Sequence, residues 1–201
     1  MGPNTPRRAG SAPNPWLALK VASYRPSLVP TINQYIQKKF FNKPISRVVP
    51  SPDGFRQTIL IKQHVLEYAL PLSKTASALL GLKQLIEDKG YNVHHPVDVR
   101  FSGADEPWLS PAHGRKTCYI GVIMYRPFGK DIPYEDYFRD VDVLFYKLGG
   151  RPHWGKIHYR DASDLRSVYP YWNDFLKLRD QLDPNGVFLN DYLQLVLGVG
   201  R

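Results

Sequence analysis

The sequence has one cysteine, Cys118, so it excludes an internal disulfide framework and a four-cysteine zinc centre. A single thiol fits a reducing compartment. No run of 18 apolar residues occurs, and no membrane-spanning helix is expected. The N-terminus lacks the apolar stretch of a secretory signal, so the protein is not expected to be secreted. There is no phosphate-binding glycine loop, dinucleotide fingerprint or nucleophile elbow. The histidines lack metal-ligand spacing: His94 and His95 are adjacent, and His153 and His158 are five apart, so no metal site is expected. Acid is missing from the first quarter. Of 27 Lys and Arg, eight fall in residues 1–52 and the first acid is Asp53, which leaves 19 bases against 18 acids over the rest. A formal charge of +9 is thus a near-neutral body carrying a basic N-terminal quarter.

What is present suffices for one domain: 201 residues, 43% hydrophobic and 13% aromatic. Residues 1–16, with Pro3, Pro6, Pro13 and Pro15 among Gly, Ser and Asn, are expected to form a disordered tail. Apolar residues from Leu17 to Phe41 recur at helical spacing, broken by Pro26 and Pro30, and predict two short helices, the second over 31–41. Thr58–Ile61 and His64–Leu70 read as strands, the latter ended by Pro71. Ser73 is the expected N-cap of a helix that Gly90 ends. Pro96–Phe101 and Thr117–Tyr125 are predicted strands; in the first, Val97, Val99 and Phe101 are expected to face the core. Further helices are expected over 134–148, with Tyr137, Val141, Leu144, Phe145 and Leu148 buried, over 171–182, and over 190–197. Strands mixed with helices without regular βαβ alternation predict an α+β fold on a mixed, mainly antiparallel sheet, spanning 17–201.

Two segments combine groups that carry chemistry. Asp98 and Arg100 lie two apart on a predicted strand and so leave the same face, where they can fix a polar substrate or form an exposed ion pair. Arg151-Pro152-His153-Trp154-Gly155-Lys156 places three polar donors, an indole and a glycine in six residues after a helix end, the composition of a binding loop or of a surface loop around one buried tryptophan. Basic residues beside aromatics (Tyr24-Arg25, Lys38-Lys39-Phe40-Phe41, His158-Tyr159-Arg160) are scattered and form no recognition motif, so no nucleic-acid partner is expected.

Four segments, in order, resemble the C-terminal half of the sugar-lactone oxidases: the D-arabinono-1,4-lactone, L-gulonolactone and alditol oxidases of the vanillyl-alcohol-oxidase class of flavoproteins. Gln63-His64-Val65-Leu66-Glu67-Tyr68-Ala69-Leu70-Pro71 is similar to Q-x-V-x-E-W-A-I-P, and Pro96–Phe101 to P-V-E-V-R-F. Arg151–Lys156 fits R-P-H-W-[GA]-K, and Tyr169–Tyr192 resembles the family's closing pattern of W, F, R, D-P-x-G, N and Y.

The resemblance implies an enzyme that oxidises a sugar 1,4-lactone by hydride transfer to N5 of FAD, with oxygen as acceptor and hydrogen peroxide as product. Asp98, Arg100 and Lys156 would be its catalytic residues. His153, Trp154, Asn190 and Tyr192 would touch the cofactor, and Glu67 would line the substrate pocket. Asp98 stands where the family has Glu, which sets its carboxylate about 1 Å back. The family's FAD-binding half has no counterpart, so the chain is expected to be the substrate (cap) domain alone, with little activity by itself and a flavin-binding domain supplied in trans. A mitochondrial, membrane-associated location is implied, with a basic stretch near 31–43 able to lie on a membrane surface. Two other readings are a basic module for nucleic acid or anionic membrane, and a non-catalytic remnant that binds a partner.

Overall fold

A computed structural model describes residues 15–40, 42, 44, 46, 48–52 and 61–200. The expected tail up to residue 14 and nearly all of the strand expected at 58–61 lie outside the described residues. The chain divides into two compact units.

The first unit comprises Met1–Lys62, Asn92–His94 and Tyr125–Ile132. Its helices are α1 (Pro15–Tyr24) and α2 (Val29–Phe40), linked by a 3-10 turn at Pro26–Leu28. α2 starts two residues earlier than its pattern predicts, because Pro30 falls in the first turn, where a missing N–H breaks no bond. Leu19, Ala22 and Val29 are buried, and the Asn33 amide donates to the Val93 carbonyl at 2.8 Å.

The second unit comprises Gln63–Tyr91, His95–Met124 and Pro133–Arg201. The sheet is antiparallel, of β1 (Gln63–Pro71), β2 (Asp98–Ser102), β3 (Thr117–Tyr125) and β4 (Arg151–Pro152), in the order β2-β3-β1-β4. The expected α+β class with a mainly antiparallel sheet is what the chain adopts. Leu66, Tyr68 and Leu70 of β1 and Cys118, Ile120, Val122 and Met124 of β3 alternate onto one face and are buried. Helices α3 (Thr75–Lys89) and α4 (Glu135–Lys147) pack together, with α4 against β1.

Several local expectations are corrected. Val99 and Phe101 are exposed, Phe101 by 66%, because β2 is an edge strand paired on one side only. Ser73 is no cap: Leu72–Lys74 forms a 3-10 turn and the Thr75 hydroxyl donates to Leu72 O at 2.8 Å. Gly90 closes α3 in the left-handed conformation (φ 66°), as its sequence position predicts. On α4, Leu144 and Leu148 are only half-buried, while Phe138 and Asp142 are fully buried.

Asp142 shows how a charge occupies a core position. It accepts hydrogen bonds from Tyr68 Oη on β1, from Arg160 Nη2 and Nε (2.7 Å to the latter), and from the Tyr159 N–H at 3.2 Å. Burial, with the Asp142 charge, pushes the Tyr68 phenol well above its ordinary range and keeps it a donor.

After β4 come α5 (Ala162–Val168), α6 (Trp172–Leu182) and α7 (Asp191–Leu197). They enclose a second core of Leu165, Tyr169, Trp172, Leu189, Val196 and Leu197. α5 was not read from the sequence, although its cap is visible there: Asp161 accepts from Ser163 N and Asp164 N at 2.8 and 3.1 Å. The turn at Asp183–Gly186 forms as its residues predict, with Gly186 at φ 63° and the Asp183 carboxylate accepting from Val187 N and Phe188 N.

Asp142→Ala is expected to cost about 3 kcal/mol in urea unfolding, because it strands Arg160 and Tyr68 in the interior. Lys83→Ala, which breaks the exposed Lys83–Glu87 helix pair, is expected to cost at most about 0.5 kcal/mol.

Candidate functional site

The face of the sheet opposite α4 carries the polar groups. Strand register aligns them: Asp98 pairs with Gly121 across β2–β3, and the His153 N–H donates to Glu67 O at 2.9 Å on the other side of β1. Gly121 is close to Glu67, since a Cβ built on it would lie 3.2 Å from Glu67 Oε2 and 3.6 Å from Asp98 Cβ. Asp98, Gly121 and Glu67 thus form one row across β2, β3 and β1, which His153 continues just past β4. The glycine leaves room for the Glu67 side chain to lie in the sheet's surface.

Glu67 is the centre. Its side chain is only 5% exposed, yet Oε2 takes Lys156 Nζ at 3.0 Å and Arg100 Nη2 at 3.2 Å. Lys156 is 24% and Arg100 62% exposed, so each cation keeps donors facing outward. Asp98 Oδ2 lies 3.6 Å from the same Arg100 nitrogen. Lys156 is positioned by backbone. The Ile157 N–H donates to Val65 O at 3.1 Å, which continues the pairing with β1 past β4, while Lys156 N–H donates to His153 O and Gly155 N–H to His153 Nδ1, both at 3.1 Å. With Nδ1 accepting, the neutral His153 ring carries its proton on Nε2.

Two carboxylates and two cations are therefore held together on one face. A buried carboxylate demands compensation, and the two cations give it while remaining partly solvated. Such a group can bind hydroxyls, hold an oxygen that gains negative charge, and take up a proton at Asp98.

The structure brings together Glu67, Asp98, Arg100 and Lys156, and sets His153 in the same row. It joins Trp154 and Tyr192 into a second group and leaves Asn190 as the cap of α7. The Trp154 indole donates to Leu109 O at 2.9 Å and stacks on Tyr169, with ring centres 5.4 Å apart. Asn190 caps α7 by accepting from Leu193 N at 2.8 Å. Tyr192 Oη donates to Trp154 O at 2.8 Å and lies 2.8 Å from His158 Nε2. That phenol spends its proton on Trp154, so His158 Nε2 is the donor, and His158 Nδ1 accepts from Arg160 N at 3.3 Å. Sequence reasoning missed Gly121, whose signal was a small residue inside the strongest predicted strand. No group of three or more His, Cys, Asp or Glu that could hold a metal occurs among the described residues.

Comparison with known proteins gives the family. Residues 16–196 match the family D-arabinono-1,4-lactone oxidase. The chain belongs to that family. It is 39% identical over 177 residues to an L-gulonolactone oxidase of Scyliorhinus torazame, covering 88% of this chain and 40% of that protein. It is 41% identical over 179 residues to the L-gulonolactone oxidase of Bos taurus (89% and 41%). It is 44% identical over 133 residues to an L-gulono-1,4-lactone dehydrogenase of Mycobacterium tuberculosis (66% and 30%). The chain spans about two-fifths of the length of the first two relatives.

Glu67→Gln is expected to free the Lys156 amine, so that acylation by a soluble amine-reactive ester, read at Lys156 by peptide mass spectrometry, speeds up severalfold while labelling of Lys83 is unchanged. His158 gives a pH prediction. Burial lowers its pKa from the ordinary value. A folded-state value below the unfolded one, near 6.5, makes the neutral ring stabilising above about pH 6.5, and that stability is lost as pH falls through the folded value. The urea midpoint should drop between pH 7 and 5, and by less in His158→Gln.

Proposed function

We propose that this chain supplies the substrate face of an FAD-dependent oxidase acting on a hydroxyl of a sugar 1,4-lactone, of the D-arabinono type. The observation that carries the reading is the buried Glu67 carboxylate holding Lys156 and Arg100 side by side with donors to spare. FAD suits this donor set, because its ring becomes anionic on reduction and two cations with outward N–H groups can hold that charge. Lys156, Arg100 and the Nε2–H of His153 are the groups that would hold the ring end of the cofactor; Trp154, Asn190 and Tyr192 would lie further along it. When bound, FAD supplies the hydride acceptor and passes both electrons to oxygen, giving hydrogen peroxide.

The chain's own residues do the rest. Arg100 and Lys156 bind the reacting oxygen and stabilise its charge as the hydroxyl proton leaves. Asp98, on the exposed edge strand, accepts that proton and returns it to water. Glu67 holds both cations in place and contacts the lactone's hydroxyls from below. The substitution of Asp for the family's Glu at 98 fits a proton acceptor that works at the solvent edge.

We place the protein at a membrane surface of the mitochondrion, in line with the resemblance. The basic, acid-free segment that includes α2 supports a peripheral contact. Among the described residues no helix is long and apolar enough to cross a membrane.

The test is turnover of D-arabinono-1,4-lactone by the FAD-loaded enzyme containing this chain. Lys156→Ala is expected to lower kcat/KM by roughly 10²- to 10³-fold, the usual cost of removing one preorganised charge-stabilising donor. Unchanged peroxide release would sink the reading.

A further inference from the structure

Tyr119 stands directly opposite Arg100 in the β2–β3 register and two residues before Gly121. Strand alternation therefore sends its side chain out of the sheet on the face that carries Asp98, Arg100, Gly121 and Glu67. Its neighbours Cys118 and Ile120 point the other way and are fully buried. Tyr119 itself is half-buried, with part of its surface in solvent.

Its hydroxyl is open where those of four other tyrosines are engaged. Tyr68 is bonded to Asp142, Tyr91 to Asp140, Tyr146 to Asp164 O, and Tyr192 to Trp154 O. Tyr137 and Tyr169 lack a partner, but both are sealed in the interior where no ligand reaches them. The Tyr119 hydroxyl makes no hydrogen bond among the described residues, and the residue is only half-buried. A phenol ordered on a sheet face, beside two cations and a buried carboxylate, has one donor and two acceptor positions open. Burial, then the charges of Asp105 and Glu67, hold it above its ordinary pKa, so at neutral pH it keeps its proton and can donate.

We propose that Tyr119 is a substrate-contacting residue of this site, its hydroxyl bonding a hydroxyl of the sugar lactone beside Arg100. The proposal rests on the lactone reading above and adds a specificity role to it: a tyrosine set for a polar group penalises a lactone that lacks hydroxyls, because the phenol is then desolvated without a partner.

The experiment titrates the full 201-residue chain, labelled with 13C at tyrosine Cζ, with D-arabinono-1,4-lactone and with γ-butyrolactone, the same ring without hydroxyls. Tyr119→Phe assigns the resonance and keeps the ring. The expected result is a shift of the Tyr119 Cζ signal on adding the hydroxylated lactone. Tyr119→Phe should weaken that lactone roughly three- to tenfold and tighten γ-butyrolactone, whose binding no longer desolvates an unpaired phenol. A chain that binds the hydroxylated lactone, loses affinity in Lys156→Ala, and shows neither a Tyr119 shift nor weakening in Tyr119→Phe overturns the role of Tyr119 and leaves the lactone site standing. Absence of lactone binding, or binding that ignores Lys156→Ala, overturns the lactone reading and Tyr119 with it. The Cζ shift is read in the unsubstituted chain, so it does not depend on a variant that folds.

Discussion

A carboxylate buried in a sheet costs several kcal/mol of lost hydration, and Glu67 recovers that cost only if cations meet it there. The two that do come from different parts of the chain: Arg100 from the edge strand β2, and Lys156 from the segment that continues β4. Neither is adjacent to β1 in sequence, so the interaction exists only when the order β2-β3-β1-β4 is complete. Arg100 is two strands away from Glu67. It reaches Oε2 because the intervening strand contributes Gly121 at the crossing, where a side chain would occupy the space. Lys156 reaches it because the backbone of 153–157 stays bonded to Val65 and Glu67. The same carboxylate that ties these pieces together sets the spacing of the two cations.

A second buried carboxylate serves the other side of β1. Tyr68, next to Glu67, points to the helical face and meets Asp142 of α4. Asp142 in turn holds Arg160, four residues beyond Lys156, and the Tyr159 N–H. The stretch 153–160 is thus fastened twice, at Lys156 to one face of the sheet and at Arg160 to the layer beneath the other. Loops are usually where position is least certain. Here two ion pairs and a run of backbone bonds hold a loop lysine on both sides, as the charge-stabilising role proposed for it would require.

The central strands were legible because their period of two is strong: Thr117–Tyr125 matches its prediction and β1 extends only one residue beyond it at each end. The shared face of Asp98 and Arg100 followed from the same geometry. Burial on β2 did not, since alternation says which side a residue takes and nothing about whether anything covers that side. Asp142 was illegible for a different reason. Helical periodicity assigns a charge to solvent, and its partners Tyr68 and Arg160 lie 74 and 18 residues away. Ser73 had the chemistry of a cap but sits inside a 3-10 turn that starts the helix later. Lys156 could be picked out by its motif, whereas its link to Glu67 is a long-range pairing that no local pattern carries.

The charges of the site nearly cancel, Glu67 and Asp98 against Arg100 and Lys156, while the chain as a whole carries +9. For an anionic substrate that excess would draw the ligand in. The sugar lactone proposed as substrate has no charge, so steering would have nothing to act on, and a compensated quartet would recognise it by the direction of its hydrogen bonds. The excess is placed accordingly: residues 1–52 hold eight cations and no acid, and the rest of the chain, which contains the quartet, is close to neutral. Charge that would be wasted on the ligand is thereby separated from charge that must be balanced to be buried. That division leaves the basic quarter open to the reading of a module for nucleic acid or anionic membrane, while the three side chains gathered around Glu67 suit the neutral, hydroxyl-rich substrate proposed here.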